Sequence, residues 1–233
     1  MGSMFSPLTK NIGIDLGTST IQVYVEGRGI VMSEPSILAT DERNRKIVAV
    51  GHAAETMLAK SPETVKIHKP LQNGIIADYN VTRTMLGYLL SKAVRSVQRL
   101  RIMVGVPAAA SNVEKRAVVE AIFQAGAKEA YLIEPAAAAA LGAGLPVYDP
   151  IGSMVIDVGG GTTNIAVLSL GGIVISRSIH LGSQDFDQAI RDYIRQEYAV
   201  VTDDETIRRN ENSQRFCRFT LRRPGLLFYR PRH

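Results

Sequence analysis

The chain has no tryptophan and only one cysteine, Cys217, in 233 residues. A single thiol excludes an internal disulfide framework and a cysteine-based zinc site. The four histidines, His52, His68, His180 and His233, show no metal-ligand spacing. No apolar run reaches the ~18 residues a membrane-spanning helix needs. The N-terminus lacks the basic segment and apolar run of a secretory signal. The P-loop pattern of Gly, four residues and Gly-Lys-Ser/Thr is missing, which argues against a P-loop ATPase. These absences lead to the expectation of a soluble protein in a reducing, intracellular compartment.

Hydrophobic residues make up 45% of the chain and charged residues 21%, so a packed core is feasible and global disorder is excluded. The length suits one large domain or two small ones. The net charge of +5 is local. Residues 204–233 carry eight arginines against Asp204, Glu205 and Glu211, which accounts for the whole excess. The first 203 residues balance to zero, so the basic character gives no reason to expect nucleic acid on the core.

Residues 11–15 and 21–26 read as strands around a Gly-Thr-Ser-Thr turn, followed by an extended stretch to residue 38. A charged loop over 41–46, a strand to residue 50 and a helix over 52–60 come next. Met85, Leu86, Leu89, Leu90 and Val94 at helical spacing predict a helix over 81–96. Ser111 and Glu114 form a capping box that opens another helix, and Gly126 follows its end. Residues 101–106 and 128–133 are β-rich, and residues 135–143 form an alanine-rich helix. Strands over 154–157, 164–170 and 173–180 and a helix over 185–197 complete an α/β pattern.

The strongest signal is an internal echo. Residues 12–20 present a strand, Asp15, Gly17 and the hydroxyls of Thr18, Ser19 and Thr20. Residues 155–163 repeat the plan with Asp157, Gly159, Gly160, Gly161, Thr162 and Thr163. Each copy is followed by a strand, a glycine-containing turn and another strand. Two such units predict two similar half-domains facing each other. Glycines let backbone N–H groups approach phosphate oxygens, and hydroxyls add donors. An aspartate at each strand end suits a hydrated Mg²⁺, which keeps most of its waters. Two ordinary tight hairpins with turn-favouring residues are the alternative.

These residues resemble the actin/heat-shock-chaperone/sugar-kinase superfamily, and within it the bacterial actins of the MreB family. The resemblance extends to Glu34-Pro35-Ser36, Gly51, Asn73-Gly74, Asp78, Val106-Pro107, Glu134-Pro135, Gly142, Gly144-Leu145-Pro146 and Gly171-Gly172. It implies an actin-like (ribonuclease H-like) α/β fold of duplicated mixed-sheet domains, with the first lobe and the start of the second. On this reading residues 1–144 form the first lobe, with a small subdomain inserted at about 30–75. Residues 145–203 begin the second lobe. The resemblance implies ATP with Mg²⁺ between the hairpins: Gly17 to Thr20 and Gly159 to Thr163 on the phosphates, and Asp15 and Asp157 on the metal. It implies filaments of the protein itself on the inner membrane surface, guiding the cell-wall elongation machinery and cell shape, with slow ATP hydrolysis coupled to polymerisation expected where the C-terminal half of a family chain is present.

Two departures carry expectations of their own. In the family a Glu directly before the helix proline positions the attacking water, nine residues ahead of the helix-end glycine. Here Glu134 stands ten residues before Gly144, so a gap-free alignment puts Pro135 in that slot. Glu134 is the catalytic candidate; a carboxylate favoured by the helix dipole is the alternative. The resemblance stops after about Thr206, short of a full family chain. Residues 204–233 lack an apolar period and hold Phe216, Phe219, Phe228 and Tyr229 among the arginines. They are expected to be a disordered divergent tail from a shifted reading frame, the alternative being a binding tail for RNA or anionic lipid. Other superfamily members, such as a chaperone-like protein sharing Gly182 to Asp187, or an inactive fragment, are the competing readings.

Overall fold

Alternating buried and open positions in Thr9–Leu16 (β1) and Thr20–Val25 (β2) put Ile12, Ile14, Leu16, Ile21, Val23 and Val25 on one face of a hairpin. In the computed structural model, which describes residues 9–43, 46–60, 64–94, 99–201 and 226–228, this hairpin is the centre of a five-stranded sheet. Gly29–Pro35 (β3) extends it antiparallel, and Arg99–Gly105 (β9) and Ala127–Ile133 (β10) extend it in parallel on the other side. The order is β10-β9-β1-β2-β3.

Two helices cover the buried face. Tyr79–Ala93 (α2) starts at Asp78, whose carboxylate accepts from the Val81 N–H at 3.0 Å. It buries Met85, Leu86, Leu89 and Leu90. Asn112–Gln124 (α3) opens on the predicted capping box, in which the Ser111 N–H donates to Glu114 at 2.7 Å and the Ser111 hydroxyl accepts from the Glu114 N–H. Arg28, in the β2–β3 turn, donates to the Ala93 carbonyl at the end of α2.

The inserted subdomain is smaller than the expected 30–75. Leu38–Asp41 (β4), Ile47–Val50 (β5) and Val65–His68 (β6) form a separate sheet, and with His52–Lys60 (α1) they enclose Ile37, Ala39, Ala49 and Ala54. β3 belongs to the large sheet instead. Leu71–Gln72 (β7) and Ile75–Ile76 (β8) form a miniature hairpin whose turn, Asn73-Gly74, has φ values of 50° and 73°.

The second sheet runs β13-β12-β11-β14, made of Ser153–Val158 (β11), Thr163–Ser169 (β12), Gly172–Ile179 (β13) and Leu226–Phe228 (β14). β14 lies parallel to β11, as β9 lies parallel to β1. Disorder, expected for residues 204–233, therefore does not hold at 226–228, where backbone pairing makes a strand. The other tail positions, Cys217 among them, lie outside the described residues. Pro135–Gly142 (α4) buries Ala136, Ala137 and Ala140 against Val155, Ala166 and Leu168. The alanine helix thus belongs to the second core, and the expected lobe boundary at residue 144 moves to its start. Ser183–Tyr198 (α5) follows β13.

Leu86 has 0% of its surface exposed and Val113 has 77%. Leu86→Ala should cost roughly 2–5 kcal/mol of unfolding free energy, whereas Val113→Ala should stay within about 0.5 kcal/mol. Urea denaturation of both variants checks the assignment of the core face.

Candidate functional site

The echoed turns have equal length. Leu16↔Ile21 and Val158↔Thr163 are the last pairs of their hairpins, leaving Gly17 to Thr20 and Gly159 to Thr162 as four-residue turns. Asp15 and Asp157 occupy the same place, one pair back from the turn, opposite Gln22 and Asn164. The leading glycines match as well. A Cβ on Gly17 would overlap the Thr20 carbonyl, and one on Gly159 would lie 3.2 Å from the Thr162 carbonyl oxygen. The Gly159 N–H closes its turn on that oxygen at 2.8 Å. Thr163 stands apart as the first residue of β12. Its hydroxyl donates to the Leu181 carbonyl at 2.8 Å, so it anchors the approach to α5 rather than the turn.

The turns meet face to face. A Cβ on Gly160 would overlap the Ser19 hydroxyl, and one on Gly161 would lie 2.8 Å from the Thr18 hydroxyl oxygen. Thr18 is the counterpart of Gly160, and Ser19 of Gly161. The contacts are therefore crosswise, as a local two-fold axis requires. Gln184 joins the two sides: its backbone N–H donates to the Gly160 carbonyl at 2.9 Å and its side-chain amide to Ser19 Oγ at 2.9 Å. Ser183 N–H donates to the Gly159 carbonyl at 3.0 Å. Gly182 must lack a side chain, because its Cβ would sit 2.5 Å from the Gly160 carbonyl oxygen.

Two further elements fix the first turn. Buried Ser36 donates its hydroxyl to the Gly17 carbonyl at 2.5 Å and its N–H to the Ser19 carbonyl at 2.9 Å. The Gly74 N–H donates to Thr18 Oγ1 at 2.9 Å. A Cβ on Gly74 would lie 2.7 Å from Pro107 and 3.3 Å from Thr162, so the β7–β8 tip touches both turns. Ser36 and Gly74 stand in family motifs to which the sequence gives no role, and Gln184 stands in the Gly182 to Asp187 segment with nothing to mark it as a bridge between the turns. The Asn-Gly dipeptide marked the tight turn; nothing local marked its destination. Beside it lies a cleft of about 250 Å³ lined by Thr18, Lys69, Leu71, Gln72, Asn73 and Gln184.

The two carboxyls interact across the site. Asp15 keeps an exposed surface but is crowded by protein on its other sides, and this desolvation, with Asp157 adding repulsion, pushes its pKa up to about 6. Desolvation also raises the pKa of Asp157, opposed by the Asn164 amide at 3.4 Å. Among the described residues no group of three or more His, Cys, Asp or Glu side chains is placed to hold a metal. Two crowded carboxyls suit Mg²⁺, which takes few protein ligands and keeps its waters. A Cβ on Gly105 would lie 3.8 Å from an Asp15 oxygen and 3.7 Å from the Pro135 ring, so the start of α4 flanks Asp15. Glu134 precedes that proline as the N-cap residue and makes no side-chain capping bond.

Residues 9–213 match the model of the MreB/Mbl protein family, past the Thr206 at which the resemblance is read to stop. The chain is 45% identical over 209 residues to the cell shape-determining protein MreB of Pasteurella multocida, covering 86% of this chain and 59% of that one. It is 43% identical over 214 residues to MreB of Escherichia coli K12, covering 88% and 60%. It thus spans about 60% of the length of these relatives. Among solved structures, MreB5 of Spiroplasma citri bound to ADP superposes with a TM-score of 0.81 at 34% identity, over 87% of this chain and 61% of that one. The same protein bound to AMPPNP gives 0.81 at 33%, over 88% and 62%. A MamK double helical filament gives 0.74 at 20% identity, over 88% and 65%, a likeness of fold alone. The expected actin-like mixed α/β architecture, first lobe plus part of the second, is borne out.

A carboxyl with a raised folded pKa holds its proton more tightly in the native than in the unfolded chain. Asp15 therefore adds stability below its ordinary value of 3.8, and that stability is lost as pH rises to about 6. Asp157 acts in the same sense. Asp15→Asn should flatten this loss. Urea midpoints from about pH 4 to about pH 8 test it, and equal slopes in the two proteins would show that the carboxyl is not crowded.

Proposed function

The chain belongs to the MreB/Mbl family, and from that premise we propose that it binds ATP with Mg²⁺ between its two facing turns. The observation that carries the reading is the crosswise meeting of Thr18 and Ser19 with Gly161 and Gly160 beneath two carboxyls. Side-chain-free positions expose N–H groups to phosphate oxygens, and the hydroxyls of Thr18, Ser19, Thr20 and Thr162 add donors. Asp15 and Asp157 hold the hydrated metal, whose charge offsets that of the phosphates. ADP and AMPPNP, bound in the related Spiroplasma structures, share the polyphosphate group this arrangement suits.

Hydrolysis in this reading is slow and depends mainly on positioning. Glu134 orients the attacking water: its carboxyl is uncommitted to a cap and lies one residue from the proline flanking Asp15. The larger role is structural. The protein assembles with its own copies into filaments in the cytoplasm, against the inner membrane surface, and works with the wall-elongation machinery to set cell shape. Its support is the cell-shape role in the names of the relatives. Among the described residues no helix is long and apolar enough to cross a membrane.

Asp15→Ala and Asp157→Ala should each weaken Mg²⁺-dependent ATP binding about 10–100-fold. Titration of a fluorescent ATP analogue with and without Mg²⁺ measures this, and unchanged metal-dependent affinity in both variants would remove these residues from the site. Glu134→Gln should leave affinity within about twofold and lower single-turnover hydrolysis about 10²-fold or more. Undiminished hydrolysis would return Glu134 to a helix-start role.

A further inference from the structure

The echo between the two hairpins continues past the turns into a third strand. Asp157 pairs with Asn164, and Asn164 with Ser178 of β13. In the first lobe Asp15 pairs with Gln22, and Gln22 with Ser33 of β3. Paired residues of adjacent antiparallel strands share a face of the sheet. Each lobe therefore carries a row of carboxyl, carboxamide and serine hydroxyl. The rows match in composition but not in hydrogen bonding. Ser178 Oγ donates to Asn164 Oδ1 at 2.7 Å, and Asn164 Nδ2 donates to Asp157 Oδ2 at 3.4 Å. Among the described residues no hydrogen bond joins the side chains of Asp15, Gln22 and Ser33.

Asn164 is enclosed where it stands. It lies on the face of β12 that carries Ala166, against which α4 packs, and only 4% of its surface is exposed. A buried carboxamide needs partners for both of its ends. The Ser178 hydroxyl satisfies the oxygen, which turns the N–H end toward Asp157. Asp157 accepts through Oδ2, and among the described residues no protein donor meets its Oδ1. A carboxyl tethered at one oxygen presents the other in a fixed direction. That suits Mg²⁺, which demands a nearly regular arrangement of its oxygens.

We propose that Asn164 is a positioning residue for Asp157: anchored by Ser178, its amide holds one carboxylate oxygen and leaves the other for the hydrated metal. Asp157 is then the fixed carboxyl of the pair and Asp15 the adjustable one. The metal in this proposal rests on the reading given under Proposed function; the hydrogen-bonded row does not.

The first arm of the test uses the full 233-residue chain without ligand. Hydrogen exchange of the ¹⁵N-labelled side-chain amides, followed by NMR, should be at least about tenfold slower at Asn164 than at exposed Asn80. Ser178→Ala should remove most of that protection. The second arm titrates a fluorescent ATP analogue with Mg²⁺ and again with EDTA. Asn164→Leu, similar in volume but without a donor, should weaken Mg²⁺-dependent affinity about tenfold and leave affinity in EDTA unchanged. Ser178→Ala should weaken it about threefold, and the double variant no more than Asn164→Leu alone. Gln22→Ala, in the unlinked row, should stay within about twofold. If Asn164→Leu does not fold, Ser178→Ala, at a partly exposed position, carries both arms. Fast exchange at Asn164, equal losses with and without Mg²⁺, additive losses in the double variant, or an equal loss in Gln22→Ala would overturn the proposal. If the parent chain binds no ATP, the proposed nucleotide site fails and the metal-directed role falls with it. ATP binding with an unprotected Asn164 amide sinks the positioning role alone.

Discussion

The architecture depends on two backbone turns approaching closely enough to touch. Thr18 and Ser19 project from the first turn, and only hydrogens project from Gly160 and Gly161 of the second. The asymmetry is physically required: a methyl group at Gly160 would occupy the space of the Ser19 hydroxyl. An exact sequence repeat would therefore fit worse than the imperfect one observed. Side chains on one turn and none on the other let two equivalent hairpins share one narrow interface.

The surrounding elements keep the turns in that relation. Ser36 holds the first turn from the small-subdomain side by two hydrogen bonds. The second is held from behind by the start of α5, where Ser183 and Gln184 donate to Gly159 and Gly160. Small residues recur where close approach is needed. Ala136, Ala137 and Ala140 bring α4 against β11 and β12, and Gly182 lets the start of α5 approach the Gly160 carbonyl. The local stability of the site thus comes from backbone hydrogen bonds and tight packing more than from large side chains.

Much of this was legible in the sequence because it was periodic or local. The apolar spacing of Met85, Leu86, Leu89 and Leu90 marked α2, and Ser111 with Glu114 marked the start of α3, since caps act over three residues. The repeat of aspartate, glycine and threonine exposed both turns. What was hidden depended on contacts between distant residues. Nothing near Gln184 indicates that its amide meets Ser19, 165 positions earlier. The alanine helix falls within the expected first lobe of residues 1–144, yet its packing partners Val155, Ala166 and Leu168 lie later in the chain. β7 and β8 were missed because two-residue strands carry no period; only the positive φ angles at Asn73 and Gly74 make their turn possible.

Charge separates the two neighbouring regions of the cleft. The facing turns contain no charged residue, and the nearest titratable groups are two mutually repelling carboxyls. A bare phosphate brought there would meet like charge at short range, and its hydrogen bonds to backbone N–H groups would be offset by that repulsion. Metal and phosphate together change the sign of the balance, because the cation attracts both Asp15 and Asp157 and the anion. Beside the first turn, the cleft lined by Lys69, Leu71, Gln72, Asn73 and Gln184 has no carboxylate among the described residues. Thr18 stands at the junction, in the first turn and in the wall of the cleft, with its oxygen fixed by Gly74. Any group that draws the Thr18 hydroxyl hydrogen toward one side removes it from the other.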